Sequence, residues 1–314
     1  MSVNMTSKPL VSVVIPVFNG ERFIAETIRS VFKQTYRNLE LIVVNDGSTD
    51  RTVEVVSECC SSIDIQRFKL LSFENRGVCA ALNKGLNVAK GEFFAYIGAD
   101  DLWDARKLER QVEVLEATNS VAIFSDCYVI DAEGKILSRY GEQYPYRGGY
   151  IYEDLIWTKF QPASPTHLFR LATIKDIGGF NEEHIWEDRD LWIRITKDFR
   201  VEYIDQPLAS YRIHGMNGST GNLENMYKYS MQVIEAAVKR DADLLPHKAR
   251  MEANIRAHLA ASYYERLDLH SAFKTAALAV KEDPSNSLAW RTLLFSLLGK
   301  KVVSTFRRFR RSSG

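Results

Sequence analysis

Three groups of acids in this sequence stand where side chains could do chemistry. Asp100 and Asp101 close an apolar stretch, FFAYIGADDLWD over residues 93–104; Asp46 closes another, LELIVVND; Glu187 and Asp188 open the segment WEDRDLW. An apolar run bounded by glycine reads as a buried strand, and the carboxyl ends of strands are where an open α/β sheet holds its ligands. Each group also has a plainer reading. Adjacent acids at a strand end, taken alone, read as a solvated helix cap, and Asp46-Gly47 as a turn. Glu187, Asp188 and Asp190 at a helix start complement its dipole. By themselves these residues leave both readings open.

Residues 11–18, VSVVIPVF, are β-branched as a buried parallel strand requires, and Asn19-Gly20 ends them with turn chemistry. Over 22–33 the residues Phe23, Ile24, Thr27, Ile28, Val31 and Phe32 share one helical face. A second strand spans 39–45, and Ser48 or Thr49 is placed to cap a helix reaching about residue 58. A weaker strand follows over 65–73. Asn75-Arg76-Gly77 then turns into a helix ending at Val88, and Lys90-Gly91 returns the chain to the stretch before Asp100. Such alternation implies right-handed crossovers, a mostly parallel sheet and one crevice shared by Asn19, Asp46, Asp100 and Asp101.

Beyond a helix over 105–117 the pattern changes. Residues 121–131 and 135–140 read as a hairpin about Asp131-Ala132-Glu133-Gly134, and aromatic loops occupy 144–152. A short strand is expected over 167–170, a turn at Gly178-Gly179-Phe180, a helix from Glu187 to about 197, and strands over 201–204 and 209–213. From residue 222 the pattern is helical, with Pro246 and Pro284 as breaks. Residues 259–280 and 288–298 resemble one tetratricopeptide-type hairpin, with Ala260, Ala272 and Ala276 at close-packing positions. One such unit is not stable alone, so it is expected to pack on the rest of the chain or on a partner.

The 314 residues are 46% hydrophobic and 26% charged, ordinary for a globular protein, and the net charge of +1 gives no general field for nucleic acid. Cys59, Cys60, Cys79 and Cys127 lack metal-ligand spacing and read as reduced structural thiols. With no leader pattern and no apolar run near the roughly 20 residues of a membrane span, a cytoplasmic or peripheral location is expected.

In order, PVFNGE, VVNDGSTD, NRGVCAALNKGLNVAKGEF, IGADD, GGFNEE, WEDRDLW and YRIHGMNGS resemble the family 2 glycosyltransferases of the GT-A fold, over about residues 11–219. The resemblance implies an α/β GT-A domain over 1–221, with a donor half (about 8–118), an acceptor half (about 119–221) and a helical appendage over 222–314. It implies donor contacts from Pro16, Phe18, Asn19, Glu21, Asp46, Ala99 and Asp100, with Asp46 on the nucleotide base. It further implies an Mn²⁺ or Mg²⁺ ion at Asp100, then Asp101, with His214 in reach, and Asp188 as catalytic base. One position departs: the family's commonest form is Asp-x-Asp-Asp, whereas here Gly98 stands for the first carboxylate, the one expected near the ribose.

The expected activity is therefore inverting, metal-dependent sugar transfer from a nucleotide-diphosphate sugar, a UDP-sugar first, to a hydroxyl of a glycan or lipid-linked acceptor in polysaccharide synthesis. Trp186 and Trp192 offer a stacking platform or core. Glu187 is assigned to the acceptor and His167 and Arg212 to the acceptor or the diphosphate, although for the last two a satisfied structural role competes. Lys300, Lys301, Arg307, Arg308, Arg310 and Arg311 alternate with Val302, Val303, Phe306 and Phe309, a tail suited to the anionic inner face of the plasma membrane or simply solvated. A homo-oligomer stays open. Two other readings stand beside this one: a non-catalytic nucleotide-sugar binding protein, and a scaffold recruiting partners through the C-terminal helices.

Overall fold

The computed structural model describes residues 8–64, 66–144, 146–215 and 222–298. The basic tail, Ile65 and the end of the YRIHGMNGS segment lie outside them. In the first hundred residues, apolar runs form four strands, β1 (Val11–Val17), β2 (Leu39–Asp46), β3 (Phe68–Phe73) and β4 (Phe93–Tyr96). Of these, β1, β2 and β4 are buried and need no polar alternation, while the edge strand β3 is half-buried to exposed. Between them run α1 (Ile24–Phe32), α2 (Thr52–Cys60) and α3 (Val78–Val88).

After β4 come β5 (Leu102–Trp103), α4 (Lys107–Thr118), β6 (Ala122–Ile130), β7 (Ile136–Arg139), α5 (Tyr152–Ile156), β8 (Leu168–Arg170), α6 (Leu171–Asp176), α7 (Asp188–Asp198) and β9 (Glu202–Arg212). Among the described residues one nine-stranded sheet runs β3-β2-β1-β4-β8-β6-β9-β5, with β7 on β6. The block β3-β2-β1-β4 is parallel; β8 joins antiparallel, and the parallel β6–β9 pair completes the other half.

The core gathers Val13, Ile15, Ile24, Ile28, Val31, Leu41, Val43, Phe93 and Leu108 from β1, β2, β4, α1 and α4. Helix α3 approaches the sheet closely at Gly85, where a Cβ would stand 2.6 Å from a methyl of Val14. Only glycine permits that approach.

Three expectations are corrected. Ser48 and Thr49 do not cap α2. The N-cap residue is Arg51, whose side chain makes no capping bond, and the Asp50 carboxylate just ahead of it accepts the Thr52 N–H at 3.0 Å. The strands expected over 201–204 and 209–213 are one strand, β9, carried past Pro207 by register shifts opposite Ser125, Asp126 and Cys127. The helix read through 259–280 is interrupted at Leu267, whose φ is +61°.

The chain divides into two compact units: residues up to Leu155 with Lys159–Gly215, and Ile156–Thr158 with the residues after Gly215. The second contains α8 (Leu223–Arg240), α9 (Lys248–Glu265), α10 (Leu269–Glu282) and α11 (Ser287–Ser296). Asn222, Asp268 and Asn286 cap α8, α10 and α11 by accepting backbone N–H groups. Ala257, Ala260, Ala272, Ala276, Ala279 and Ala289 are fully buried, small enough for the helices to pack closely. Trp157 belongs to this unit: its carbonyl accepts the Asn254 side-chain amide at 2.8 Å. Among the described residues no helix is long and apolar enough to cross a membrane, and all four cysteines are free.

Candidate active site

The loops after β1 and β2 hold each other. Asn19 donates its N–H to the Ser48 hydroxyl at 2.9 Å, and its side-chain oxygen accepts the Thr49 N–H at 2.8 Å. Gly20 donates to the Thr52 hydroxyl and Glu21 to the Asp50 carboxylate, while the Glu21 carboxylate accepts the Arg51 N–H at 2.9 Å. The polar groups of Asn19 and Glu21 thus shape the loop, and Phe18 is left exposed beside it.

Asp46 is buried at the end of β2. Its two carboxylate oxygens accept the Arg76 and Gly77 N–H groups at 2.9 and 2.8 Å, tying the start of α3 to β2. Gly47, at φ +78°, lies so close to this turn that a Cβ would stand 2.8 Å from the Asn75 nitrogen.

The two acids after β4 are separated by the fold. Asp101 is 3% exposed and turns inward, accepting the Arg212 N–H at 2.9 Å. Burial, then the neighbouring Asp100, pushes its carboxyl well above the usual range. Asp100 remains partly open, with one carboxylate oxygen 2.9 Å from the His214 imidazole. Beneath them Arg212, fully buried, donates to the carbonyls of Asp100 and Ala132 and to Glu26 at 2.7, 2.9 and 2.8 Å. The Thr27 hydroxyl bonds the Ala99 and Asp101 carbonyls from α1. At Gly98 a Cβ would lie 2.9 Å from Asp100 and 3.1 Å from Asp101, so the missing side chain leaves room for both carboxylates.

Glu187 and Asp188 start α7, half-buried by surface area yet closely ringed by protein atoms. Glu187 accepts the Ser164 hydroxyl at 2.9 Å, and burial followed by repulsion from Asp188 pushes its carboxyl up to about 7. Burial raises Asp188 too, opposed by the Arg189 N–H at 2.7 Å and by the nearby Gln161 side chain. The buried Gln161 amide nitrogen lies near Asp188 but has no partner within hydrogen-bond geometry. Charge on Glu187 reaches Asp101, and charges on Glu187 and Asp188 reach Cys79 on α3, so these segments share one electrostatic environment.

Other candidates go elsewhere. His167 is fully buried, 3.0 Å from the Tyr96 hydroxyl and accepting the Trp192 indole N–H at 3.0 Å; burial and Lys107 push it down to about 3 and keep it neutral. Trp192 is likewise core, whereas Trp186 is half-buried. His167, Trp192 and Arg212 therefore present no surface to an acceptor, because their polar atoms are spent inside the protein. Asp190 pairs with Arg194 within α7. Sequence reasoning missed Glu26, Thr27, Ser164 and Gln161. Thr27 was visible as a polar residue on the buried face of α1; the others carry no local signal.

The model of the family described as Glycosyl transferase family 2 matches residues 12–173, just over half of the chain. The chain belongs to glycosyl transferase family 2. An uncharacterized glycosyltransferase of Rickettsia typhi is 32% identical over 230 residues, covering 71% of this chain and 70% of that one. One from Haemophilus influenzae is 30% identical, covering 76% and 74%. A longer Rickettsia bellii relative, 33% identical, aligns over only 31% of its own length.

Among solved structures, Staphylococcus aureus TarS 1-349 in complex with UDP-GlcNAc superposes with a TM-score of 0.64 at 20% identity, covering 87% of this chain and 81% of that one. The Pyrobaculum calidifontis mannosyltransferase PcManGT, in complex with GDP-Man and Mn²⁺, gives 0.64 at 22%, covering 96% and 84%. Both likenesses establish the GT-A fold. In this family 2 glycosyltransferase the matched span contains Asp46, Asp100 and Asp101 but ends before Glu187 and Asp188.

Proposed function

We infer that this glycosyltransferase moves a hexosyl group from a nucleotide-diphosphate sugar, a UDP-sugar first, to a hydroxyl of a glycan or lipid-linked acceptor, with inversion at the anomeric carbon. The observation that carries this reading is the Asp100 carboxylate after β4, left partly open 2.9 Å from the His214 imidazole and lying within the span that the family model matches. The UDP-GlcNAc and GDP-Man complexes of the two GT-A neighbours support a nucleotide-sugar donor.

Asp188 acts as base. As the acceptor oxygen bonds to the anomeric carbon, its proton passes to the Asp188 carboxylate, and the bond to the diphosphate oxygen breaks to release nucleoside diphosphate. The Arg189 N–H and the Gln161 side chain favour the ionised Asp188, so that Glu187 takes up the first proton of the pair. Trp186 provides an aromatic face beside them. The loops at Pro16, Phe18, Asn19, Glu21, Asp46 and Ala99 form the floor for the nucleotide.

Among the described residues no three His, Cys, Asp or Glu side chains cluster as a metal cage. The partly open Asp100 carboxylate beside His214 instead suits a cation that arrives with the diphosphate and takes its other ligands from phosphate and water. When bound there, Mn²⁺ or Mg²⁺ would serve as a Lewis acid toward the departing phosphate. Action in polysaccharide synthesis at the inner membrane face fits a lipid-linked acceptor and the basic tail.

The test is a panel of nucleotide sugars scored by thermal shift with and without Mn²⁺. A UDP-sugar is expected to raise the melting temperature most, and more so with the metal, because a ligand selective for the native state stabilises it. No shift with any nucleotide sugar would sink the reading.

A further inference from the structure

Helix α11 is amphipathic the wrong way round for a helix packed only within its own unit. It buries Ala289, Thr292 and Ser296, spaced as one helical face, and turns Trp290, Leu294 and Phe295 outward while Leu288 and Leu293 are half-buried. Trp290 is 43% exposed, Leu294 56% and Leu297 65%, a stripe at i, i+4 and i+7, with Phe295 and Leu298 exposed beside it. An exposed apolar stripe of this size marks a contact surface.

Charge decides what the surface meets. After Asp283 the sequence has no acid, while Arg291 lies on the helix and Lys300, Lys301, Arg307, Arg308, Arg310 and Arg311 follow it in the sequence. A second copy meeting this face through a two-fold axis would set two such basic clusters against each other. Nucleic acid would satisfy the charge but not the leucines. A lipid surface satisfies both, since acyl chains take Leu294 and Leu297, anionic headgroups take the bases, and Trp290 suits the level between. Its indole N–H is already satisfied by the Pro284 carbonyl at 2.9 Å, so the ring can enter an apolar layer without an unmet donor.

We propose that the outer face of α11 is a docking surface for anionic phospholipid membrane. This deepens the peripheral location argued above by assigning the apolar half of the contact to a folded helix rather than to the tail alone.

The experiment is co-sedimentation of the full chain with vesicles of phosphatidylcholine alone or with about one third phosphatidylglycerol, at low and high salt. Wild type is expected to bind only the anionic vesicles, and less at high salt. Leu294→Glu with Leu297→Glu, and separately glutamine at Arg307, Arg308, Arg310 and Arg311, are each expected to lower partitioning about tenfold or more. Both variants should retain wild-type circular dichroism and monomeric mass by light scattering. Three results would overturn the proposal: no wild-type binding to anionic vesicles, full binding by the double leucine variant, or a wild-type dimer that this variant converts to monomer. The thermal shift with nucleotide sugars is run on the same preparations without vesicles. Vesicle binding without any donor shift would therefore sink the proposed reaction and leave the docking surface standing.

Discussion

The two acid pairs are built oppositely. After β4 the fold separates neighbours, turning Asp101 inward onto the Arg212 N–H and leaving Asp100 outward beside His214. At the start of α7 the neighbours stay in one enclosure, and both carboxyls are pushed up. The first arrangement fixes a position, as ligand placement needs. The second makes protonation responsive near neutral pH, as proton transfer needs.

Breaking the second pair at the proposed base gives the largest expected effect. Asp188→Asn should lower transfer by about 10³-fold, within the range of general base catalysis, while leaving the donor thermal shift intact. Unchanged transfer would remove Asp188 from the mechanism. In the first pair the effect should appear in binding: Asp100→Ala is expected to abolish the Mn²⁺-dependent part of the donor shift, and its persistence would move the cation elsewhere.

A smaller effect is expected beneath that corner. Arg212→Lys keeps the charge but loses the planar fork that reaches Asp100, Ala132 and Glu26, and should cost about 2 kcal/mol in denaturant unfolding. An unaltered midpoint would mean that lysine reproduces those bonds.

The smallest change sharpens the comparison. Glu187 ordinarily titrates near 4.5 and is pushed up to about 7 in the fold, so the folded chain holds a proton that the unfolded chain gives up between those values. Its contribution to stability therefore falls as pH rises from about 4.5 to about 7. Glu187→Gln should melt higher than wild type above about pH 7, with the difference vanishing near pH 4, and its transfer rate should hold to lower pH because Asp188 loses a negative neighbour. Identical pH profiles for variant and wild type would uncouple the pair.

The parallel block was legible because Val11–Val17 and Leu39–Asp46 are buried on both faces and show it as unbroken apolar runs. β9 was not, because Asp205, Gln206 and Pro207 look like a break, and only the irregular pairing with β6 carries the strand across. The acid segments were visible in the sequence, yet the opposite burial of Asp100 and Asp101 was not. Nothing local distinguishes Asp101 from Asp100; the difference arises from Arg212, 111 residues away in sequence from Asp101. His167 was misleading for the same reason, since its partners Tyr96 and Trp192 are neighbours only in the folded chain. In the helical unit, the apolar period ran straight through the turn at Leu267.

The interlocked loops after β1 and β2 carry a dynamic consequence. Each supplies the acceptors for the other's amides, at Asn19, Gly20 and Glu21 on one side and Thr49 and Arg51 on the other. Neither can open while the other stays closed without stranding donors. The floor on which a nucleotide would rest should therefore fluctuate as a single cooperative unit, admitting or excluding solvent all at once.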